Sequence, residues 1–464
     1  MWKTSFFRAG RLFGGLLPVL LLVIMNACSG SGGTGNKDDG GLPDGEPAAD
    51  LDTGDAGDDY THGDGDEGGE GDDSPGQDQA GDVDGGPLCG SGIGWEIASG
   101  QHWADWSVAT GVVFQGQNWC EVPALEPYLD CPYYGGASDP TVIADSGGYR
   151  MIYTCHGGFG QNTCPALAGQ ETLRTALCLA SSPDGRNWTR IGPLSSPEGL
   201  DGLVLAGRTD QWDQALETAF LLKTTSGYRL FYSGYDDCGG IFGTEHSPAA
   251  LAVADSTDGV HFTRLGAGEP ALVASSGWYD DYDVFSPAVV DTGEVLFMVY
   301  AGHCWFARCH RDRQGVYLLG AVSRDGGESW QKLQQPLLGP RDDVYWLRVI
   351  AAEPDLLRGP DGYYYLFISG EVEQERKVTG IARAQDICGP WQLNPEPILL
   401  AGSQPQDACG AFAPAVVIDG DRVRMWYLGV DDCGGTCPSC DYENCSCSPA
   451  YSILYAEAPW PLYR

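Results

Sequence analysis

One short pattern recurs five times along the second part of the chain: Asp139-Pro140-Thr141-Val142-Ile143, Glu217-Thr218-Ala219-Phe220-Leu221, Ser286-Pro287-Ala288-Val289-Val290, Glu353-Pro354-Asp355-Leu356-Leu357 and Ala413-Pro414-Ala415-Val416-Val417. Each copy leads through a turn such as Pro360-Asp361-Gly362 into a second, aromatic-rich strand, at residues 149 to 154, 228 to 233, 295 to 301, 363 to 369 and 423 to 428. A third strand follows, and the first three copies then close on a Ser-x-Asp-Gly variant before an aromatic, at Ser182 to Trp188, Ser256 to Phe262 and Ser323 to Trp330. A unit of short strands and hairpin turns cannot bury its apolar faces alone and must stack on its own copies. The expected fold is therefore all-β, a five-bladed β-propeller over residues 91–464. The fifth copy has little sequence left for a fourth strand, and the stretch from about Gly94 to Phe114 is the candidate to supply it.

Ahead of the repeats, Lys3, Arg8 and Arg11 precede an apolar run from Leu12 to Met25 that is too short for a membrane span, so residues 1–27 read as an export signal. Met25-Asn26-Ala27-Cys28 resembles a bacterial lipobox, which implies cleavage before Cys28 and a lipid on its sulfur. An ordinary signal peptide with an incidental cysteine is the alternative. Residues 28–90 are expected to be a disordered acidic tether. Between residues 38 and 84 stand 18 Asp and Glu and no Lys or Arg, with hardly any apolar side chain to offset the entropy of ordering. The expected location is the bacterial outer membrane or cell surface.

Beyond residue 86 the chain carries 46 acidic against 22 basic residues. That balance excludes nucleic acid as a partner and favours neutral over anionic glycans. The 16 cysteines after Cys28 are an even number in an exported chain and predict disulfides of undetermined connectivity.

Asp139-Pro140 at the head of the first copy, the strand end Phe231-Tyr-Ser-Gly234 and the outer hairpin Ala384-Gln-Asp-Ile-Cys-Gly-Pro-Trp391 resemble the superfamily of arabinanases, β-xylosidases, levansucrases and invertases, glycoside hydrolase families 43 and 32. The resemblance implies three acids projecting from the first strands into a funnel. One is base or nucleophile, one orients and tunes, and one protonates the leaving oxygen. Asp139 matches the first and Glu217 occupies the second, with Glu where Asp is usual. At the third position stands Ser286, with Asp283 three residues earlier. Glu353 in the fourth copy lies two steps from the first copy, as the third does, and is the alternative acid. Glu353 and Asp283 also fit a structural role at strand starts.

In an antiparallel unit the second strand ends where the first begins, so residues after each second strand are expected at the same mouth. His156, Tyr235, His303 and Glu371 stand there, with Asp237 and Trp305 close by, and rings beside carboxylates suit sugar binding. His156 and His303 fit bonds to loop backbone or, alternatively, a metal between them; no cofactor is expected and no metal site is assigned. A monomer is expected. Two readings stand side by side: a surface enzyme hydrolysing a neutral glycan, and a non-catalytic carbohydrate-binding or structural propeller.

Overall fold

The computed structural model of the protein describes residues 89, 93–98, 103–115, 136–161, 171–192, 202–208, 211–236, 249–304, 314–372, 376–431 and 451–463. The export signal, Cys28 and the acidic tether lie outside the described residues.

The described chain is almost wholly β, in successive antiparallel groups. β1 (Ala137–Asp145), β2 (Gly148–Gln161) and β3 (Glu171–Ser182) form the first, and β4 (Ala215–Thr224), β5 (Gly227–Tyr235) and β6 (Ala250–Ser256) the second. β7 (Asp283–Asp291), β8 (Leu296–Cys304) and β9 (Gly315–Ser323) form the third, and β10 (Ala352–Arg358), β11 (Tyr364–Val372) and β12 (Arg376–Ala384) the fourth. β13 (Gly410–Asp419), β14 (Arg422–Val430) and β15 (Tyr451–Pro459) form the last. Short outer strands Thr189–Arg190, Thr263–Arg264, Gln331–Lys332 and Trp391–Leu393 pair with β3, β6, β9 and β12. In the last group this place is taken by the N-terminal segment, as Ser107–Val108 and Phe114–Gln115 pair with β15. Trp95–Ile97 adds a parallel strand to Trp391–Leu393, and the Cys89–Cys388 disulfide ties this segment to the fourth group.

Most of the apolar residues fall into clusters that lie between consecutive groups. Leu221 and Leu230 pack with Ile152 and Leu179, Phe231 with Val289 and Met298, Val299 with Leu366, and Tyr365 with Val416. Trp426 and Tyr455 of the last group pack with Met151 and Tyr153 of the first. The first strands follow the same cyclic order, β1 on β4, β4 on β7, β7 on β10, β10 on β13, and β13 back on β1.

The Ser-x-Asp-Gly turns work as local devices that also dock on the preceding group. Asp184 Oδ1 accepts from the backbone N–H groups of Arg186 and Asn187, and Ser182 Oγ accepts from Gly185. The Gly185 carbonyl then accepts from Trp426 Nε1 of the last group at 2.7 Å. Gly185 has φ +77, and a Cβ there would meet the Trp426 ring at 2.7 Å, so both conformation and close approach demand glycine. Arg424 reaches the Asp184 carbonyl, and Arg150 reaches the Asp258 carbonyl of the second group in the equivalent way.

Every first strand carries the same irregularity. Two residues oppose one on the second strand at Asp139-Pro140, Thr218-Ala219, Ser286-Pro287, Glu353-Pro354 and Ala413-Pro414, a β-bulge in each case. The first residue of each pair is left-handed, with φ 46, 44, 49, 41 and 47 in chain order. A non-glycine residue there is strained, and five equivalent instances show that the surrounding packing imposes it. The equivalence corrects the sequence alignment: Thr218, and not Glu217, is the counterpart of Asp139, and Glu217 stands one residue upstream. Alanine in place of proline at position 219 had hidden the register.

A bulge frees backbone N–H groups from the ladder, and the neighbouring group takes them. Thr218 N–H donates to Thr154 Oγ1 at 3.1 Å, Ser286 N–H to Ser233 Oγ at 3.0 Å, and Ala413 N–H to Ser369 Oγ at 2.9 Å. One layer further along, Leu221 N–H donates to Thr141 Oγ1 and Val416 N–H to Asp355 Oδ2. Thr141→Val keeps the shape but strands the buried Leu221 N–H. It is expected to destabilise the protein by about 1–3 kcal/mol, read as a lower denaturation midpoint at unchanged slope.

The expected disulfides are present in part. Cys155–Cys178 joins β2 to β3 within one sheet.

Candidate functional site

The bulges converge on one central cavity of about 30 Å³, lined by all five left-handed residues, Asp139, Thr218, Ser286, Glu353 and Ala413, and by the residues that follow them. The repeat thus brings chemically different side chains to one place by the same backbone device.

Asp139 is held by Ser138 Oγ, which donates to its Oδ2 at 2.8 Å. Burial raises its pKa, against the hydrogen bonds of Ser138 and Thr154. Glu353 is 9 % exposed, and its Oε2 has no partner. Burial and then the charge of Asp139 push its pKa up to about 8; Ser369 and Lys377 oppose this and Glu217 adds to it. Glu217 is likewise pushed up to about 8, by burial and then by Asp139, against a 2.7 Å hydrogen bond from Tyr235 OH. These interactions place Glu217 in the same electrostatic cluster although its register differs by one residue. Three carboxyls from the first, second and fourth groups, Glu353 buried and Asp139 and Glu217 half-buried, therefore compete for charge in one place, and they do not all ionise at neutral pH.

Asp283 and His303 face each other across β7 and β8 and are joined through Nδ1 and Oδ1. Both are buried, and the imidazole packs on Phe285 at 4.6 Å between ring centroids. Asp283 thus engages His303, and it is Ser286 that reaches the cavity. Glu371 meets the buried Lys377 ammonium at 2.5 Å. The backbone of His156 lies in β2, and its side chain, like Asp237 and Trp305, lies outside the described residues. Among the described residues no group of three His, Cys, Asp or Glu is arranged to hold a metal ion.

Several residues of this site escaped the sequence reading. Tyr451 interacts with Asp139, Asp431 and Glu217, and its hydroxyl is pushed well above the ordinary phenol value, chiefly by burial. Asp355 lines the cavity two residues beyond Glu353, and burial pushes it to about 7 against the N–H groups of Val416 and Leu356. Lys377 stands at the bridge between β12 and β13. The pairing of second-strand ends with first-strand starts, already used for Tyr235 and His303, was the signal that pointed to this mouth. Nothing in the sequence distinguishes Lys377 or Tyr451 from other strand residues.

No protein-family model matches the chain, and no curated protein matches it significantly. Solved structures do. A complex of BT0996 with RGII is similar with a TM-score of 0.55 and 15% identity, over 76% of this chain and 92% of that one. A glycoside hydrolase is similar with a TM-score of 0.54 and 14% identity over 77% and 91% of the two chains. A glycosyl hydrolase from Bacteroides ovatus is similar with a TM-score of 0.51 and 14% identity over 78% and 96%. At such identities the likeness is one of fold: the described domain has a glycoside-hydrolase-like propeller fold.

Proposed function

We propose that the protein is an exported, lipid-anchored enzyme whose five strand groups are the blades of one propeller and whose central carboxyls hydrolyse a neutral glycoside. The observation that carries this reading is the cluster of Asp139, Glu217 and Glu353, in which each Glu is pushed up to about 8 in part by the charge of Asp139. Glycoside hydrolysis needs one carboxyl that holds its proton for the leaving oxygen and another that attacks the anomeric carbon or activates water. Glu353, neutral at pH 7, takes the first role, and Asp139 the second. Glu217, held by Tyr235, tunes the pair electrostatically. The solved structures that share the fold include glycoside hydrolases, and the excess of acidic residues favours an uncharged substrate.

The test is a screen of the purified protein against neutral aryl-glycosides and neutral plant and microbial polysaccharides. Release of reducing sugar that is lost in Asp139→Asn supports the reading, and no release from any of them counts against it. A second reading, a propeller that binds glycans without cleaving them, is favoured by Ser286 at the third acid position. It predicts oligosaccharide binding that Tyr235→Ala weakens and Asp139→Asn does not.

The anchor has its own test. Cys28→Ser is expected to move the protein from the detergent-soluble membrane fraction to the soluble fraction while its fold is unchanged; retention in the membrane contradicts lipidation at Cys28.

A further inference from the structure

The five left-handed residues around the cavity are not equally satisfied. Asp139 Oδ2 accepts from Ser138, and Thr218 Oγ1 meets Ser233 Oγ at 2.5 Å and accepts from Ser286 N–H. Ala413 offers no polar side-chain atom. Ser286 Oγ and Glu353 Oε2, by contrast, have no hydrogen-bond partner, although Ser286 is 5 % and Glu353 9 % exposed. They belong to consecutive groups, occupy equivalent bulge positions and line the same cavity. Buried polar atoms without partners are rare and costly, and two neighbours at one cavity point to a missing oxygen.

We propose that Ser286 Oγ and Glu353 Oε2 together form a subsite for a single neutral hydroxyl oxygen, filled by water in the resting protein and by a glycan hydroxyl when substrate is seated. The cavity volume of about 30 Å³ fits this ligand, because it leaves room for an oxygen-sized group. The chemistry fits as well. Glu353 Oε2 accepts from the hydroxyl or water, which leaves the carboxyl proton for the leaving oxygen, the serine hydroxyl donates or accepts as required, and neither needs a charged ligand. Serine at the third group is then a binding residue, where a carboxyl would add a further buried charge beside Asp139 and Glu353. The glycan half of this assignment rests on the function proposed above, whereas the water half does not.

The test begins with a high-resolution crystal structure of the whole protein grown without sugar. One ordered oxygen within hydrogen-bond distance of both Ser286 Oγ and Glu353 Oε2 is expected, lost in Ser286→Ala and kept in Ser286→Thr. An empty cavity, or protein partners for both atoms, overturns the subsite. Soaks with arabinose, xylose, galactose and fructose separate the two sources. Replacement of the water by a sugar hydroxyl supports the glycan assignment, and a water retained under every soak overturns it. On any glycoside the protein hydrolyses, Ser286→Ala is expected to raise KM about five- to tenfold with kcat little changed, as loss of one uniform hydrogen bond does. An unchanged KM contradicts a substrate contact. Absence of turnover on every glycoside counts against the hydrolase reading alone, since the ordered oxygen is read without catalysis.

Discussion

Asp139→Asn is expected to lower turnover of a neutral glycoside by about 10³-fold or more, with little change in fold. The amide keeps the size and the hydrogen bond with Ser138 but neither attacks carbon nor takes a proton from water. Removing one charge from the cluster also relieves Glu217 and Glu353, since Asp139 is the main charged neighbour that raises both. Glu353→Gln is expected to behave differently. Its loss on substrates with poor leaving groups is about 10²–10⁴-fold, and on activated aryl-glycosides it is small, because a good leaving group departs without protonation. If the leaving-group dependence appears in Glu217→Gln and not in Glu353→Gln, the two glutamates exchange roles. Steady-state kinetics of the three variants on a series of aryl-glycosides make this check.

The second large effect is on stability, and it follows from the same carboxyls. Glu217 and Glu353 have ordinary values near 4.5 and folded values of about 8, so the folded protein binds more protons than the unfolded chain between those limits. Their contribution is full below about pH 4.5 and is lost as pH rises through about 8. The loss is on the order of 1.4 kcal/mol for each tenfold difference in proton affinity. Asp145, Asp184, Asp258 and Asp325 are shifted the other way and lose their contribution as pH falls through their depressed values. Maximum stability is therefore expected in mild acid, with Tm falling by several degrees between about pH 5 and 9. Glu353→Gln, permanently neutral, is expected to flatten that fall and to raise Tm at pH 8. Thermal unfolding across the pH range reads both, and a wild-type Tm that rises towards pH 9 contradicts the carboxyl cluster.

The strands were legible because their turns and aromatic runs are local signals. The bulges carry a sequence mark that went unread as such: proline takes the second bulge position in four copies, at Asp139-Pro140, Ser286-Pro287, Glu353-Pro354 and Ala413-Pro414. The second copy lacks that proline, and the acid at Glu217 drew the alignment one residue out of place. The closing role of the N-terminal segment was also readable, because β15 had no outer partner in its own sequence. What depends on long-range packing was not readable. The hydroxyl bridges of Thr154, Ser233 and Ser369 join groups some 44 to 64 residues apart, and the Glu371–Lys377 pair forms only once β11 and β12 are in register. Asp283 looked like a candidate acid on sequence distance alone, and its engagement with His303 is a matter of cross-strand pairing.

The most direct test of the account is a crystal structure of the protein with a bound neutral sugar or glycoside, because hydrolysis requires two carboxyls on either side of one anomeric carbon. A sugar is expected at the mouth of the central cavity with the Asp139 and Glu353 carboxyls flanking that carbon, about 5 to 9.5 Å apart. A sugar bound away from Asp139, or Asp139 and Glu353 carboxyls separated beyond that range, would contradict it.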